Sequence, residues 1–117
     1  MKYLCLVYGE EHKMREVDDL HCLAFDQSVR KSGHCVASEA LQPTATATTV
    51  RVRNGRVSVT DGPFAETKEI LAGFYMIEAR DLNEAIQIAS KIPPAQYGSI
   101  EIRPTRELMV DQLAAAS

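Results

Sequence analysis

The chain has 117 residues, 45% hydrophobic and 25% charged, with 6 Gly and 5 Pro, which is ordinary usage for one globular domain and excludes collagen-like, disordered and repeat classes. Thirteen basic against sixteen acidic residues give a net charge of -3 without a run of like charge, which argues against nucleic acid and against an anionic membrane surface as partners. No apolar stretch approaches the ~18 residues a spanning helix needs, and the opening run to Tyr8 is broken by Gly9 too soon for a signal peptide, so a cytoplasmic location is expected. Cys5, Cys22 and Cys35 are odd in number and lie in no CxxC spacing, which predicts reduced, mostly buried thiols.

In chain order, the apolar run Tyr3 to Tyr8 predicts a first strand. From Glu11 to Ser32 there is no proline, and Gly33 stands where a left-handed cap would end a helix. On one continuous helix Met14, Val17, Leu20, Ala24, Phe25 and Val29 share a side, with His21 near its middle, while Glu16, Asp19, Asp26 and Arg30 lie opposite. His34 to Leu41 predicts a short strand ended by Gln42-Pro43. Val50 to Arg53, Asn54-Gly55 and Arg56 to Val59 then predict a hairpin with a two-residue type I′ turn. That loop length pairs Arg53 with Arg56, Val52 with Val57, Arg51 with Ser58 and Val50 with Val59. The valines fall on one face and the arginines on the other.

Asp61 to Glu69 is rich in turn formers, and Ile70 to Ala79 is apolar, with Gly73 to Glu78 reading as a central strand. Asp81 with Glu84 three positions on is a helix-starting pattern, and Leu82, Ala85, Ile86, Ala89 and Ile92 follow at helical spacing up to Pro93-Pro94. Ser99 to Arg103 alternates like a final strand, stopped by Pro104. Residues 1–104 thus read as a single domain and 105–117 as a tail or short helix. The order of elements predicts an α+β ferredoxin-like sandwich with an inserted β-hairpin and one-sided helices. Two helices cover one face only, so a second copy packed sheet against sheet is expected, giving a homodimer.

In the Asp61 to Glu69 stretch, Asp61 can accept backbone hydrogen bonds across a turn, Gly62 opens conformations closed to other residues, Pro63 stiffens the link and Phe64 can anchor it in the core. Such a turn either presents Asp61, Glu66 and Lys68 to a ligand or only joins two strands. The run Asp61-Gly62-Pro63-Phe64-Ala65-Glu66-Thr67-Lys68-Glu69 resembles the signature of the DGPF group of YCII-related proteins. Lys2-Tyr3-Leu4, Tyr8-Gly9-Glu10, Ala40-Leu41-Gln42-Pro43, Thr46 to Arg51, Gly73-Phe74-Tyr75 and Tyr97 to Pro104 extend the resemblance over nearly the whole chain.

The resemblance implies ferredoxin-like subunits joined as a dimeric α/β barrel, a fold shared with muconolactone isomerase-like enzymes and small monooxygenases. The wider group is similar in having a histidine on the first helix with an aspartate nearby as a catalytic pair, and it includes a chloromuconolactone dehalogenase. Members of the DGPF branch often neighbour extracytoplasmic-function sigma factors.

On that resemblance His21 takes the place of the histidine and Asp61 is its candidate partner. A neutral imidazole there can take a proton from a small ligand, an aspartate at its second nitrogen fixing the tautomer; a histidine satisfied by a backbone carbonyl is the alternative. Arg51 and Lys68 are candidates to hold an anionic group, with Gly62, Pro63, Phe64 and Glu66 shaping the site; a solvated arginine face, or one paired with acids of a partner subunit, is the alternative for Arg51. No metal and no cofactor are expected, since no spacing resembles a zinc pattern or a phosphate loop. The expectation is a cytoplasmic homodimer that binds a small organic molecule, an anionic one among the candidates, with cofactor-independent proton transfer or elimination as its chemistry. The alternative is a non-enzymatic interaction module for a sigma factor.

Overall fold

The computed structural model describes residues 1–108; the predicted tail over 105–117 therefore falls largely outside the described residues. The strands are β1 (Lys2–Gly9), β2 (Cys35–Ala40), β3 (Thr48–Arg53), β4 (Arg56–Asp61), β5 (Ile70–Glu78) and β6 (Ser99–Pro104). The helices are α1 (Glu11–Met14), α2 (Asp19–Lys31) and α3 (Leu82–Ala89), with short 3-10 turns at Thr44–Thr46 and Pro93–Gln96. None of these helices is long and apolar enough to cross a membrane.

Four strands form one antiparallel sheet in the order β2-β5-β1-β6, and β3 and β4 form a separate two-stranded sheet. The four-stranded order is compatible with a ferredoxin-like α+β fold, in which β1 and β2 run parallel with β5 between them. Alternation decides which side chains meet the helices. Tyr3, Cys5 and Val7 of β1 lie opposite Ile77, Tyr75, Ile102 and Ile100 on the covered face. Ala85 and Ala89 of α3 and Ile92 after it close that core, and Cys5, Ile77 and Ile92 are at most 1% exposed. Burying an isoleucine side chain of this kind stabilises by about 2–3 kcal/mol. Leu4, Leu6, Phe74 and Met76 alternate onto the opposite face and stay partly exposed.

The hairpin pairs as predicted, from Arg53 opposite Arg56 to Val50 opposite Val59. Asn54 and Gly55 both have positive φ, 52° and 74°, as a type I′ turn requires. Gly33, at φ 84°, follows the end of α2 as its spacing predicts. Asp81 caps α3 by accepting the Glu84 N–H at 2.9 Å, while the Glu84 carboxylate accepts the Arg80 N–H at 3.0 Å. The three cysteines are free; Cys5 is buried, Cys22 and Cys35 are half-buried.

Three expectations fail here. The single helix over 11–32 is two, because the chain leaves the helix at Arg15 and restarts at Asp18, whose carboxylate accepts the Leu20 N–H at 2.8 Å. The break resets the phase of the wheel, so Cys22, Phe25, Asp26 and Val29 turn inward while Leu20 and His21 point out at 72% and 77% exposure. Phe64 does not anchor its loop in the core: it is 79% exposed. Leu82 and Ile86 are exposed as well, because the small Ala85 and Ala89 take the close contacts of α3 with the sheet.

Candidate functional site

Between α2 and the sheet lies a cleft of about 640 Å³, lined among others by Met14, Val17, Cys22, Leu23, Asp26 and Tyr75. The phase of α2 makes it. With Asp18 as the cap, positions 22, 25, 26 and 29 fall one turn apart on the inner side, so a carboxylate at 26 enters a mostly apolar wall. Phe25 packs edge-on against Tyr75 of β5, ring centroids 5.2 Å apart, and this contact holds the helix off the sheet next to the cleft.

The polar end of the cleft is a closed triangle of hydrogen bonds. Ser38 on β2 donates its hydroxyl to Asp26 Oδ1 at 2.5 Å, Arg30 donates Nε–H to Asp26 Oδ2 at 2.9 Å, and Arg30 Nη2 donates to Ser38 Oγ at 2.9 Å. The Ser38 bond, with the Arg30 guanidinium behind it, holds the Asp26 carboxyl below the ordinary aspartate range despite its partial burial. Burial pushes the Tyr75 phenol up to about 12, with Asp26 and the Cys22 and Cys35 thiols adding to it. Burial likewise raises the Cys22 thiol, helped by Asp19 and Asp18. Asp26 is thus a fixed acceptor and Tyr75 a fixed donor near neutral pH, and Cys22 is a neutral thiol rather than a nucleophile. These three groups are tuned away from neutrality, which suits hydrogen bonding to a ligand better than proton transfer.

A second, more polar cleft of about 650 Å³ lies where β1 ends, beside the Asp61–Glu69 loop. Glu10 is its hub, with Lys13 Nζ at 2.9 Å and Lys68 Nζ at 3.3 Å. Lys13 first, and Lys68 with it, hold the Glu10 carboxyl below its usual range. Ser99 Oγ lies 3.3 Å from Glu69 Oε2 across the same cleft, in which Tyr8 and Tyr97 also take part. Every cation here faces a carboxylate of the chain itself.

The expected site residues are dispersed. His21 stands on the outer side of α2 with Asp18 Oδ2 3.9 Å from its Nδ1. Asp61 ends β4, opposite Thr48 at the base of the hairpin, and among the described residues no hydrogen bond or ion pair joins it to His21. Gly62, at φ 99°, donates its N–H to the Ala47 carbonyl at 2.7 Å and accepts from Thr49 Oγ1 at 2.8 Å, which staples the loop to the hairpin base. Pro63, Phe64 and Glu66 are exposed, Arg51 lies on the exposed hairpin, and only Lys68 reaches a cleft. Asp26, Arg30 and Ser38 are absent from the expected set. Their one signal in the sequence is the Asp26–Arg30 spacing of four on a helix, which reads equally well as a solvent-exposed pair.

The comparisons agree with the resemblance seen in the sequence. The profile of the YCII-related domain family matches residues 1–109. The chain belongs to that family. It is also 38% identical over 99 residues to an uncharacterized protein of Rhizobium meliloti, an overlap that covers 83% of this chain and 78% of the relative. In this YCII-related protein the match spans both clefts, the hairpin and the Asp61–Glu69 loop.

Proposed function

We propose that this YCII-related protein binds a small organic molecule in the cleft between α2 and the sheet, its apolar body against Val17, Leu23 and Tyr75 and its polar end at Asp26, Ser38 and Arg30. The observation that carries the reading is the Asp26–Ser38–Arg30 triangle at one side of a largely apolar cleft. Few, fixed polar groups in an apolar pocket are the usual make-up of a small-molecule site.

Charge refines the ligand class. Asp19, Asp26 and Glu39 line this cleft against the single cation Arg30, two of whose nitrogens are engaged, whereas Arg51 and Lys68, the groups expected to hold an anion, lie outside it. The cleft therefore favours a ligand that ends in a hydroxyl or amine over a carboxylate. Cofactor-independent proton transfer or elimination by His21 and Asp61 needs the two brought together, and in the single chain each stands apart.

Ligand-observed NMR with matched sets of small alcohols, amines and carboxylates tests the reading. Binding of the first two classes that is lost in Asp26→Asn and kept in His21→Ala is the expected result. Binding confined to carboxylates, or unaffected by Asp26→Asn, overturns it.

A second reading has its own observation. Phe64, 79% exposed on a loop stapled at Gly62, is the kind of aromatic that anchors a protein partner. The partner to test is the extracytoplasmic-function sigma factor that the family resemblance suggests. Loss of its co-purification in Phe64→Ala would support that reading, and its absence with the wild-type protein at low salt would end it.

A further inference from the structure

We infer that the outer edge of β3 takes up an extended segment of a protein partner as a third strand, one whose alternate residues are acidic and apolar.

The hairpin is a two-stranded sheet, and among the described residues no strand pairs with either of its outer edges. A two-residue turn makes Arg53 and Arg56 a hydrogen-bonded pair, so by alternation the Val52–Val57 and Val50–Val59 pairs turn their N–H and C=O groups away from the ladder. Thr48, Val50 and Val52, all exposed, therefore present an outward row of backbone donors and acceptors along β3. Such a row is a template for strand addition.

The two faces of the hairpin specify what can add there. Val50 and Val52, 61% and 56% exposed, stand on one face with Val57 and Val59, while Thr49, Arg51 and Arg53 stand on the other with Arg56, Ser58 and Thr60. The second face holds three guanidiniums and no carboxylate. Elsewhere Lys13, Arg15, Arg30, Lys68, Arg80 and Arg103 each lie within 4.0 Å of a carboxylate of the chain. Among the described residues Arg51, Arg53 and Arg56 face no carboxylate, and Arg53 Nη1 turns back to the Val52 carbonyl at 3.0 Å. Like charges directly opposite, as at Arg53–Arg56, destabilise a ladder, so the hairpin carries a local conflict that its own residues do not relieve.

A strand added beside β3 relieves that conflict and covers apolar surface in one step. Its alternate side chains fall next to Arg51 and Arg53 on one face and next to Val50 and Val52 on the other, which calls for carboxylates and aliphatic groups in turn. The edge of β4 is the poorer acceptor, because Asp61 stands in its valine row and Arg56 is its one cation. A nucleic-acid backbone would meet the arginine face alone and leave the valines in water.

Fluorescence anisotropy and amide hydrogen exchange on the full chain test the inference with synthetic peptides of about eight residues. One alternates glutamate with valine, one alternates lysine with valine, and one carries the glutamates and valines in two blocks. The alternating glutamate peptide is expected to bind about tenfold more tightly than the other two and to slow exchange of the Val50 and Val52 amides. Arg51→Glu/Arg53→Glu is expected to reverse the preference in favour of the lysine peptide. Val50→Pro, which removes an outward N–H, is expected to abolish binding, while Val59→Pro on the other edge keeps it. If Val50→Pro fails to fold, the charge reversal and the exchange pattern keep the test decisive. Absence of binding at millimolar peptide overturns the inference, as do equal binding of the block peptide, a preference that survives the arginine reversal, or comparable affinity for an oligonucleotide. Protection of Val57 and Val59 in place of Val50 and Val52 overturns it as well. None of these readouts depends on a ligand in the cleft.

Discussion

The four-stranded sheet and the hairpin follow the same strand alternation, yet their apolar faces meet opposite fates. In β1 the alternate residues Tyr3, Cys5 and Val7 are at most 4% exposed, whereas in β3 and β4 the alternate valines are more than half exposed. A period of two is a statement about which residues share a face, and it says nothing about what stands opposite that face. The sheet is covered by α2 and α3 because β-α-β connections carry helices back over it. The hairpin is joined by a two-residue turn that leaves no chain to cover it.

The largest effects should separate those regions. Ile77→Ala, at a fully buried position, should cost about 3–4 kcal/mol by urea denaturation, and the same truncation of Val52 under about 0.5 kcal/mol in the monomer. A comparable loss at both positions would break the contrast and place the hairpin inside the folded core of the single chain. Gly98→Ala should cost about 2–3 kcal/mol, because a Cβ there would collide with the Tyr8 carbonyl and the Gly9 backbone. Retained stability at Gly98 would show that β1 can yield at the end where the polar cleft lies.

Smaller effects sharpen the comparison at the site and at the hairpin. Asp26 has a folded-state pKa held below its ordinary value of 3.8, so its contribution is present above that value and is lost as pH falls through the lowered one. Asp26→Asn should therefore destabilise by about 1–2 kcal/mol at neutral pH and by less in acid, read from thermal unfolding at a series of pH values. A deficit that did not shrink below pH 3.8 would assign the loss to packing instead of charge. Gly55→Ala, at φ 74°, should cost about 1 kcal/mol, and hydrogen exchange should show that loss in the hairpin amides while Cys5 and Ile77 keep their protection. Exchange that rose in both regions would mean that they unfold as one unit.

Where the sequence was legible, the cause was local. Asn54-Gly55 demands two positive φ values and thereby sets the hairpin register, Gly33 ends α2, and Asp81 caps α3. His21 was misplaced because one helix phase was carried across a break, and a break of a few residues rotates everything beyond it. Phe64 looked like an anchor because aromatics are commonly buried, and its exposure depends on where the loop leaves the hairpin base. Asp26 looked like solvent-facing charge. Ser38, twelve residues away and on another element, is what makes it part of a site.

What the sequence by itself determined is the family, the α+β order of elements, the turn chemistry and the pairing of the hairpin, since each is written in residues close along the chain or in a run of matched positions. Only the tertiary structure decided which side of α2 faces the sheet, that Asp26, Arg30 and Ser38 converge on a cleft, and that the valine face and Leu20 stand uncovered. Those outcomes depend on which distant segment arrives opposite a given face, and burial is a property of both surfaces that meet.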